Sequence, residues 1–333
     1  MVRTFILQWH LSENCNLKCL HCYQEDHKPV CISFNKLEHI YNEFINLIDK
    51  LGMNGHINIT GGEPLCNPHL FKLLDLIKKD NRVSFSILTN GTLITRDIAK
   101  KLKEYEPYYV QVSLEGGRKV NDFIRGKGTY KQIGEGIKNL KREGIFTSIS
   151  FTSNHLNYKE FPKVVRYGKR LKVDNIWSDR YIPLGGSMDK DLTLSKEETK
   201  EYLDIMKKEK LKLKRNSKTR ISMNRALQFT RTNELAYGCT CGDTLLTVME
   251  NGDLVPCRRM PIKVGNVLVD SMYDLYMNNE ILKDLRKKEI PEDCKSCEHS
   301  DRCRGGLKCL TYAITGNYKL KDVGCDLWKK TFI

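Results

Sequence analysis

Cysteine is the residue of this chain whose spacing speaks most directly of chemistry. Of thirteen cysteines, eleven fall into two arrays. Cys15, Cys19 and Cys22 read C-x3-C-x2-C near the N-terminus, and Cys239, Cys241, Cys257, Cys294, Cys297, Cys303, Cys309 and Cys325 crowd the last third. A 4Fe–4S cluster normally takes four thiolates, so three ligands leave one iron open for something else, and eight are enough to close two more clusters. Structural zinc is the alternative at both arrays. It wants four ligands, which His10 or His21 could complete at the first, and the C-x2-C and C-x5-C spacings of Cys294, Cys297 and Cys303 suit a zinc ribbon. Cys31 and Cys66 have no partner at ligand spacing and read as plain thiols.

Thiols serve as ligands only where they stay reduced. The opening MVRTFILQWHLSENC has too short an apolar stretch for a signal peptide, and no run approaches the length of a membrane span. A cytoplasmic protein is therefore expected, with its cysteines binding metal rather than pairing as disulfides. The net charge of +15 suits an acidic substrate or leader peptide, nucleic acid, or simply a soluble Lys-rich surface. No basic segment carries the interleaved aromatics that stack on bases, so nucleic acid is not an expected partner.

Around these residues the first two-thirds of the chain alternate strand and helix signals. Strands are expected at Thr4–His10, His56–Thr60, Ser84–Thr89, Tyr108–Ser113, Thr147–Phe151 and Asn175–Ile182, each short and most rich in β-branched or aromatic residues. Helices are expected at Ser33–Leu51, His69–Lys79, Thr95–Lys103, Tyr130–Glu143, Lys159–Leu171 and Ser195–Glu209. The first carries a 3.6-residue stripe from Leu37 to Leu51 and stops at Gly52. Six β-α units argue for an α/β fold with a parallel sheet, either doubly wound or an incomplete barrel. The first three cysteines then lie on the loop after strand one, where β/α barrels collect their chemistry. Residues 1–210 form this unit. A charged connection is expected over 211–236, and a small cysteine-rich domain with short strands, held by metal more than by a large core, over 237–333.

The stretch Cys15-Asn-Leu-Lys-Cys19-Leu-His-Cys22-Tyr23, followed by Thr60-Gly-Gly-Glu-Pro64, resembles the radical S-adenosylmethionine (SAM) superfamily. Thr89-Asn90-Gly91, Ser113-Leu114-Glu115-Gly116 and Arg125-Gly126 agree with it in order. The resemblance implies a partial (β/α)6 TIM-like barrel and an oxidoreductase that cleaves SAM reductively. Cys15, Cys19 and Cys22 would hold the SAM-binding cluster. His21, Gly61, Gly62, Glu63, Pro64, Asn90, Ser113 and Arg125 would line the SAM site, with Gly61 and Gly62 letting backbone approach the methionyl amine, Ser113 on the ribose and Arg125 on the carboxylate. Leu184 would touch the adenine. Relatives often carry Asp where this chain has Glu115.

The segment from Tyr237 resembles the SPASM extension of radical SAM enzymes that modify peptides and proteins. That resemblance implies two auxiliary 4Fe–4S clusters, on Cys239, Cys241, Cys257 and Cys309 and on Cys294, Cys297, Cys303 and Cys325, for three clusters in all. Two spacings depart from the family pattern: one residue separates Cys239 from Cys241, and five separate Cys303 from Cys309.

The implied reaction is the maturation of a ribosomally made peptide, by thioether or carbon–carbon crosslinking or a related oxidation. Its partners would be the peptide and a flavodoxin- or ferredoxin-type reductant. Many peptide-maturing relatives place a winged-helix leader-binding domain ahead of the barrel. With the first strand starting at Thr4, the expectation is instead that a separate protein binds the leader, that the substrate is short, or that the protein acts elsewhere. Modification of a tetrapyrrole is the alternative, since a basic chain suits propionates. Formylglycine formation is disfavoured, because Arg258 stands where those relatives carry an acidic base. The class-level alternative is a non-catalytic iron–sulfur electron carrier. The stretches Asp179-Arg180 and Pro183-Leu184-Gly185-Gly186 are candidates for the substrate mouth.

Overall fold

The structure, a computed structural model, describes residues 3–24, 27, 31–187, 189–214, 216–232 and 234–325. Strands β1 (Thr4–His10), β2 (Asn54–Thr60), β3 (Val83–Thr89), β4 (Tyr109–Ser113), β5 (Thr147–Ser153) and β6 (Asn175–Arg180) lie side by side in chain order. Every neighbouring pair among them is parallel. The helices between them are α1 (Phe34–Leu51), α2 (Leu70–Ile77), α3 (Arg96–Glu104), α4 (Arg118–Arg125), α5 (Thr129–Arg142), α6 (Phe161–Leu171) and, after β6, α7 (Lys196–Leu211). This is the β/α partial-barrel arrangement expected of the sequence.

Local chemistry accounts for the elements. Leu37, Ile40, Tyr41, Phe44, Leu47 and Ile48 bury one face of α1, which ends at Gly52 in the left-handed region. Thr95 caps α3 by accepting the Ile98 N–H. Ser195 and Glu198 close a reciprocal capping box on α7. Along β1, Phe5, Leu7 and Trp9 are fully buried under the helices, whereas Ile6 and Gln8 point to the other face and are only half-buried. The same alternation puts Asn58 of β2, Gln111 of β4 and Trp177 of β6 toward the concave interior. There Trp177 Nε1 donates to Gln111 Oε1 at 2.7 Å, and Tyr109 OH donates to Asn58 Oδ1 at 2.9 Å. The outer face is a packed core and the inner face is polar.

Three features differ from the sequence expectation. Helix α4 follows the Gly116-Gly117 turn, and its one large exposed apolar residue, Phe123, blurs the periodic signal. The connection 211–236 is not only a solvated link: β7 (Arg220–Ser222) extends the parallel sheet beside β6. Third, the cysteine-rich region shares the barrel's sheet and core. Its first strand, β8 (Leu245–Val248), pairs in parallel with β1, and β9 (Asp253–Val255) and β10 (Gly265–Asn266) add antiparallel, giving ten strands in one sheet. It is also partly helical, with α8 (Met272–Asn278), α9 (Glu280–Lys287), α10 (Ser300–Cys303) and α11 (Lys308–Thr315). Met272, Tyr276, Leu282 and Leu285 join the main hydrophobic core. Residues 326–333, the end of the expected C-terminal region, lie outside the described residues. No described helix is long and apolar enough to cross a membrane.

Candidate functional site

The carboxyl ends of β1 to β4 supply four loops, and hydrogen bonds lock them together. The Gly62 N–H donates to Ser12 O at 2.7 Å and the Glu63 N–H to Asn14 O at 2.8 Å, fastening the Gly-Gly-Glu-Pro loop to the turn that leads into Cys15. A Cβ on Gly62 would fall 2.2 Å from Asn14 O, and one on Gly61, whose φ is +126°, would fall 2.6 Å from Ser12 O. Glycine is required at both. Pro64 begins a short 3-10 turn, Pro64–Cys66. The Glu63 carboxylate accepts from Leu65 N, Thr89 Oγ1 and Asn90 N, so this buried side chain joins the second loop to the third. Burial pushes the Glu63 carboxyl up, against the pull of those hydrogen bonds.

Cys15, Cys19 and Cys22 sit on the first loop within electrostatic reach of one another. Leu17 N and Gln24 N donate to the Cys15 and Cys22 sulfurs at 3.4 Å. Asn90 Nδ2 lies 3.9 Å from the Cys15 Sγ and donates to Asn16 Oδ1 at 2.8 Å. Arg125 Nη1 lies 3.8 Å from the Cys19 Sγ. Burial pushes the Cys15 thiol up to about 12, and neighbouring Glu63, Cys19 and Cys22 push the same way, while the Leu17 N–H opposes. Burial likewise raises Cys19 and Cys22. A metal core reverses that balance by deprotonating its ligands. The donor set, three soft thiols with amide and guanidinium donors around their sulfurs, fits an iron–sulfur cluster. Among the described residues no three His, Cys, Asp or Glu side chains draw together as for a single metal ion.

Beside the thiols lies a buried charge group absent from the sequence expectations. Glu115 is fully buried; its Oε1 accepts from Arg125 Nη2 at 2.6 Å and Nε at 3.2 Å, and lies 3.4 Å from His21 Nε2. Its Oε2 accepts the Thr152 N–H of β5. Burial would raise this carboxyl, but Arg125 and His21 outweigh it and hold it at about 2. Arg125 thus has a protein carboxylate on two of its nitrogens and turns only Nη1 toward the cluster loop. Ser113 ends β4, half-buried on the concave side. Leu184 packs against Ile182, Leu307 and Leu310 in a small apolar cluster with the C-terminal region.

His10, at the end of β1, is buried with both ring nitrogens unpartnered among the described residues. Burial, and then Arg258, hold its pKa well below the usual imidazole value. Its ring centroid lies 6.1 Å from that of Tyr23. Cys31 and Cys66, expected as isolated thiols, lie within electrostatic reach of each other near this loop.

The eight C-terminal cysteines fall into two groups in space. The Cys241 thiol hydrogen-bonds with both Cys239 and Cys257, and Cys309 lies within electrostatic reach of Cys257 and Cys239. Hydrogen bonding to Cys241 pulls the Cys239 thiol down to about 6. Cys294, Cys297, Cys303 and Cys325 form the second group, where burial takes Cys303 up to about 12 with the other three adding to it. Cys239 and Cys241 thus fall in one group despite their one-residue gap, and Cys303 and Cys309 fall in different groups across their five-residue interval.

Family comparison places the radical SAM superfamily on residues 9–168 and the SPASM iron–sulfur cluster-binding domain on residues 239–298. The chain is a radical SAM enzyme with a SPASM domain. SAM and iron–sulfur clusters are therefore its cofactors. It is 27% identical to the Fe-coproporphyrin III synthase of Methanosarcina barkeri, over 98% of this chain and 88% of that one. It is 28% identical to the mycofactocin maturase MftC of Mycolicibacterium smegmatis, over 90% and 77%. Its fold matches Streptococcus suis SuiB bound to the precursor peptide SuiA with a TM-score of 0.76 at 19% identity, over 98% of this chain and 77% of SuiB.

Proposed function

We propose that this radical SAM enzyme modifies a peptide, by thioether or carbon–carbon crosslinking or a related oxidation. The observation that carries the reading is the hydrogen-bonded packing of the Gly61-Gly62 loop against the turn into Cys15, with Cys19 and Cys22 within electrostatic reach, at the carboxyl end of a barrel whose inner face is polar. The similarity to MftC, a maturase, supports the peptide substrate. When bound, the cluster and SAM supply a 5′-deoxyadenosyl radical that takes a hydrogen atom from the substrate.

The chain's own residues position and shield. The three thiols hold the cluster, and Asn90 and Arg125 lend N–H donors to two sulfurs. Gly61 and Gly62 present bare backbone to SAM, with Glu63 and Pro64 fixing that backbone from behind. His21 and Ser113 complete the SAM side, and Leu184 closes the edge toward the C-terminal region. Glu115 fixes the plane of the Arg125 guanidinium and leaves Nη1 for the cluster side. The two C-terminal groups of four cysteines each hold an auxiliary cluster, giving three clusters over a barrel of residues 1–210, a connection of 211–236 and a SPASM region of 237–333. A flavodoxin- or ferredoxin-type protein supplies electrons in the cytoplasm.

Arg258 supports no formylglycine chemistry: its guanidinium is committed to Tyr23 and accepts no proton. The second reading, radical modification of a tetrapyrrole, is favoured by the near full-length similarity to Fe-coproporphyrin III synthase.

Anaerobic incubation of the reconstituted, dithionite-reduced protein with SAM tests the common step. 5′-Deoxyadenosine should form, and iron should stand near ~12 per chain for three clusters. Replacing Cys15, Cys19 and Cys22 with Ala should abolish SAM cleavage and leave the C-terminal cluster absorbance. No 5′-deoxyadenosine from the parent protein would defeat the enzymatic reading, and an iron count near ~4 would remove the auxiliary clusters.

A further inference from the structure

At the carboxyl end of β6 the concave face carries a cation with uncommitted donors. The Arg225 guanidinium carbon lies over two aromatic rings, 5.1 Å from the Trp177 centroid and 4.8 Å from that of Tyr237. Its Nε is 3.6 Å from Asp179 Oδ2, beyond hydrogen-bonding distance, and about a third of the side chain is exposed (34%). Among the described residues its guanidinium donates no hydrogen bond, although five N–H groups are available. Asp179, the one carboxylate at hand, is already engaged: Oδ2 accepts from Arg259 Nη1 and Oδ1 from the Arg180 N–H. Arg259 in turn lies beside the Cys309 and Cys257 thiols. Arg225 also senses the Cys239 thiol and the Tyr109 phenol, both at electrostatic range.

A guanidinium held against two rings has already lost part of the rotamer entropy that binding would cost, and its fork matches a carboxylate. In a half-desolvated site such a charge-assisted pair is about twice as strong as a neutral hydrogen bond. We propose that Arg225 is the receptor for a carboxylate on the substrate, with Trp177 and Tyr237 as the walls against which the group next to that carboxylate packs. The inference rests on the reading of the barrel interior as the substrate site. It adds the substrate class: an acid, presented by a peptide as a Glu or Asp side chain or a C-terminus.

Calorimetric titration of the reconstituted protein tests this with two matched pairs of probes. One pair is N-acetyl-glutamate methylamide and its glutamine counterpart. The other is a porphyrin with four propionates and its tetramethyl ester. The parent protein should prefer the peptide acid over its amide by about tenfold, Arg225→Gln should bind the two alike, and Arg225→Lys should keep part of the preference. Equal binding of acid and neutral probe by the parent in both pairs would overturn the inference, as would an acid preference that survives Arg225→Gln. Discrimination confined to the porphyrin pair would uphold the carboxylate receptor and defeat the peptide reading. Because Arg225 lies near Cys239, iron content and near-ultraviolet circular dichroism of both variants are measured alongside. Arg225→Lys with parental iron carries the comparison if Arg225→Gln loses its clusters.

Discussion

Arg258 lies over the ring of Tyr23. Its guanidinium carbon stands 4.0 Å from the ring centroid, and Nη2 donates to the Tyr23 carbonyl at 3.0 Å. The contact matters because of the neighbours of each residue. Tyr23 follows Cys22 of the first cysteine loop, and Arg258 follows Cys257 of the first C-terminal group, 235 positions away in sequence. One side chain therefore ties the two cysteine sites across the sheet junction of β1 and β8.

Removing that tie should cost stability. Arg258→Ala deletes a buried cation–π contact and leaves a carbonyl without its donor, for a loss of about 2 kcal/mol. Arg258→Lys keeps the charge without the planar fork and should lose about half as much. Denaturant unfolding of the reconstituted protein reads both. A change below ~0.5 kcal/mol for Arg258→Ala would show the contact to be incidental.

Gly62→Ala makes a sharper demand. The added methyl would meet the Asn14 carbonyl at 2.2 Å, and backbone cannot swing aside as a side chain can. The turn into Cys15 must move, so the variant should lose SAM cleavage by about 100-fold or more, a misplacement effect on the reacting geometry. Electron paramagnetic resonance of the reduced protein with and without SAM should show the SAM-induced change weakened. Parental 5′-deoxyadenosine formation in Gly62→Ala would contradict the close packing of these two loops.

The Glu115–Arg125 pair carries a pH signature. Glu115 is held at about 2, below its ordinary 4.5, so its contribution is fully present above the unfolded value and is lost as pH falls toward the folded value. Stability of the parent should decline as pH drops from about 5 to about 3, and Glu115→Gln should lack that part of the slope. At neutral pH the same variant leaves Arg125 buried without its counter-charge and should be less stable by about 3 kcal/mol. Urea unfolding at several pH values separates the two effects. An unchanged slope in Glu115→Gln would assign the acid sensitivity to other groups.

The barrel was legible because its strands and helices are local patterns. Thr4–His10 reads as a strand from its own alternation, and α1 from a stripe that Gly52 stops. The cysteine spacings and the Gly-Gly-Glu-Pro turn are likewise local. What escaped was made by distant partners. Strand β7 is three residues in a charged stretch and exists because Asn175, Ile176 and Trp177 offer it a ladder. The pairing of β8 with β1 joins positions some 239 residues apart, as in Ile6 with Leu245, and leaves no periodic trace. Glu115 stood in a recognised motif, but its role depends on Arg125, His21 and Thr152 arriving from three other places. Arg225 has no motif at all, and only the rings around it distinguish it from a surface arginine.

A second long-range latch predicts how the last cysteines are held. Arg180, at the end of β6, donates Nη1 and Nη2 to the two oxygens of Asp322, at 2.8 and 2.5 Å, and both side chains are buried. Asp322 also accepts the N–H groups of Leu307 and Gly324, so one carboxylate organises the backbone that leads into Cys309 and into Cys325. Asp322→Ala would strand a buried guanidinium and free both N–H groups, at a cost of about 3–5 kcal/mol. Because Cys325 lies three residues on, iron should fall by about one cluster, ~4 per chain. Replacing Arg180 as well, as Arg180→Met with Asp322→Leu, removes the stranded charge and should recover part of the stability without recovering the iron. Full iron in Asp322→Ala would mean that the cysteine group assembles independently of β6.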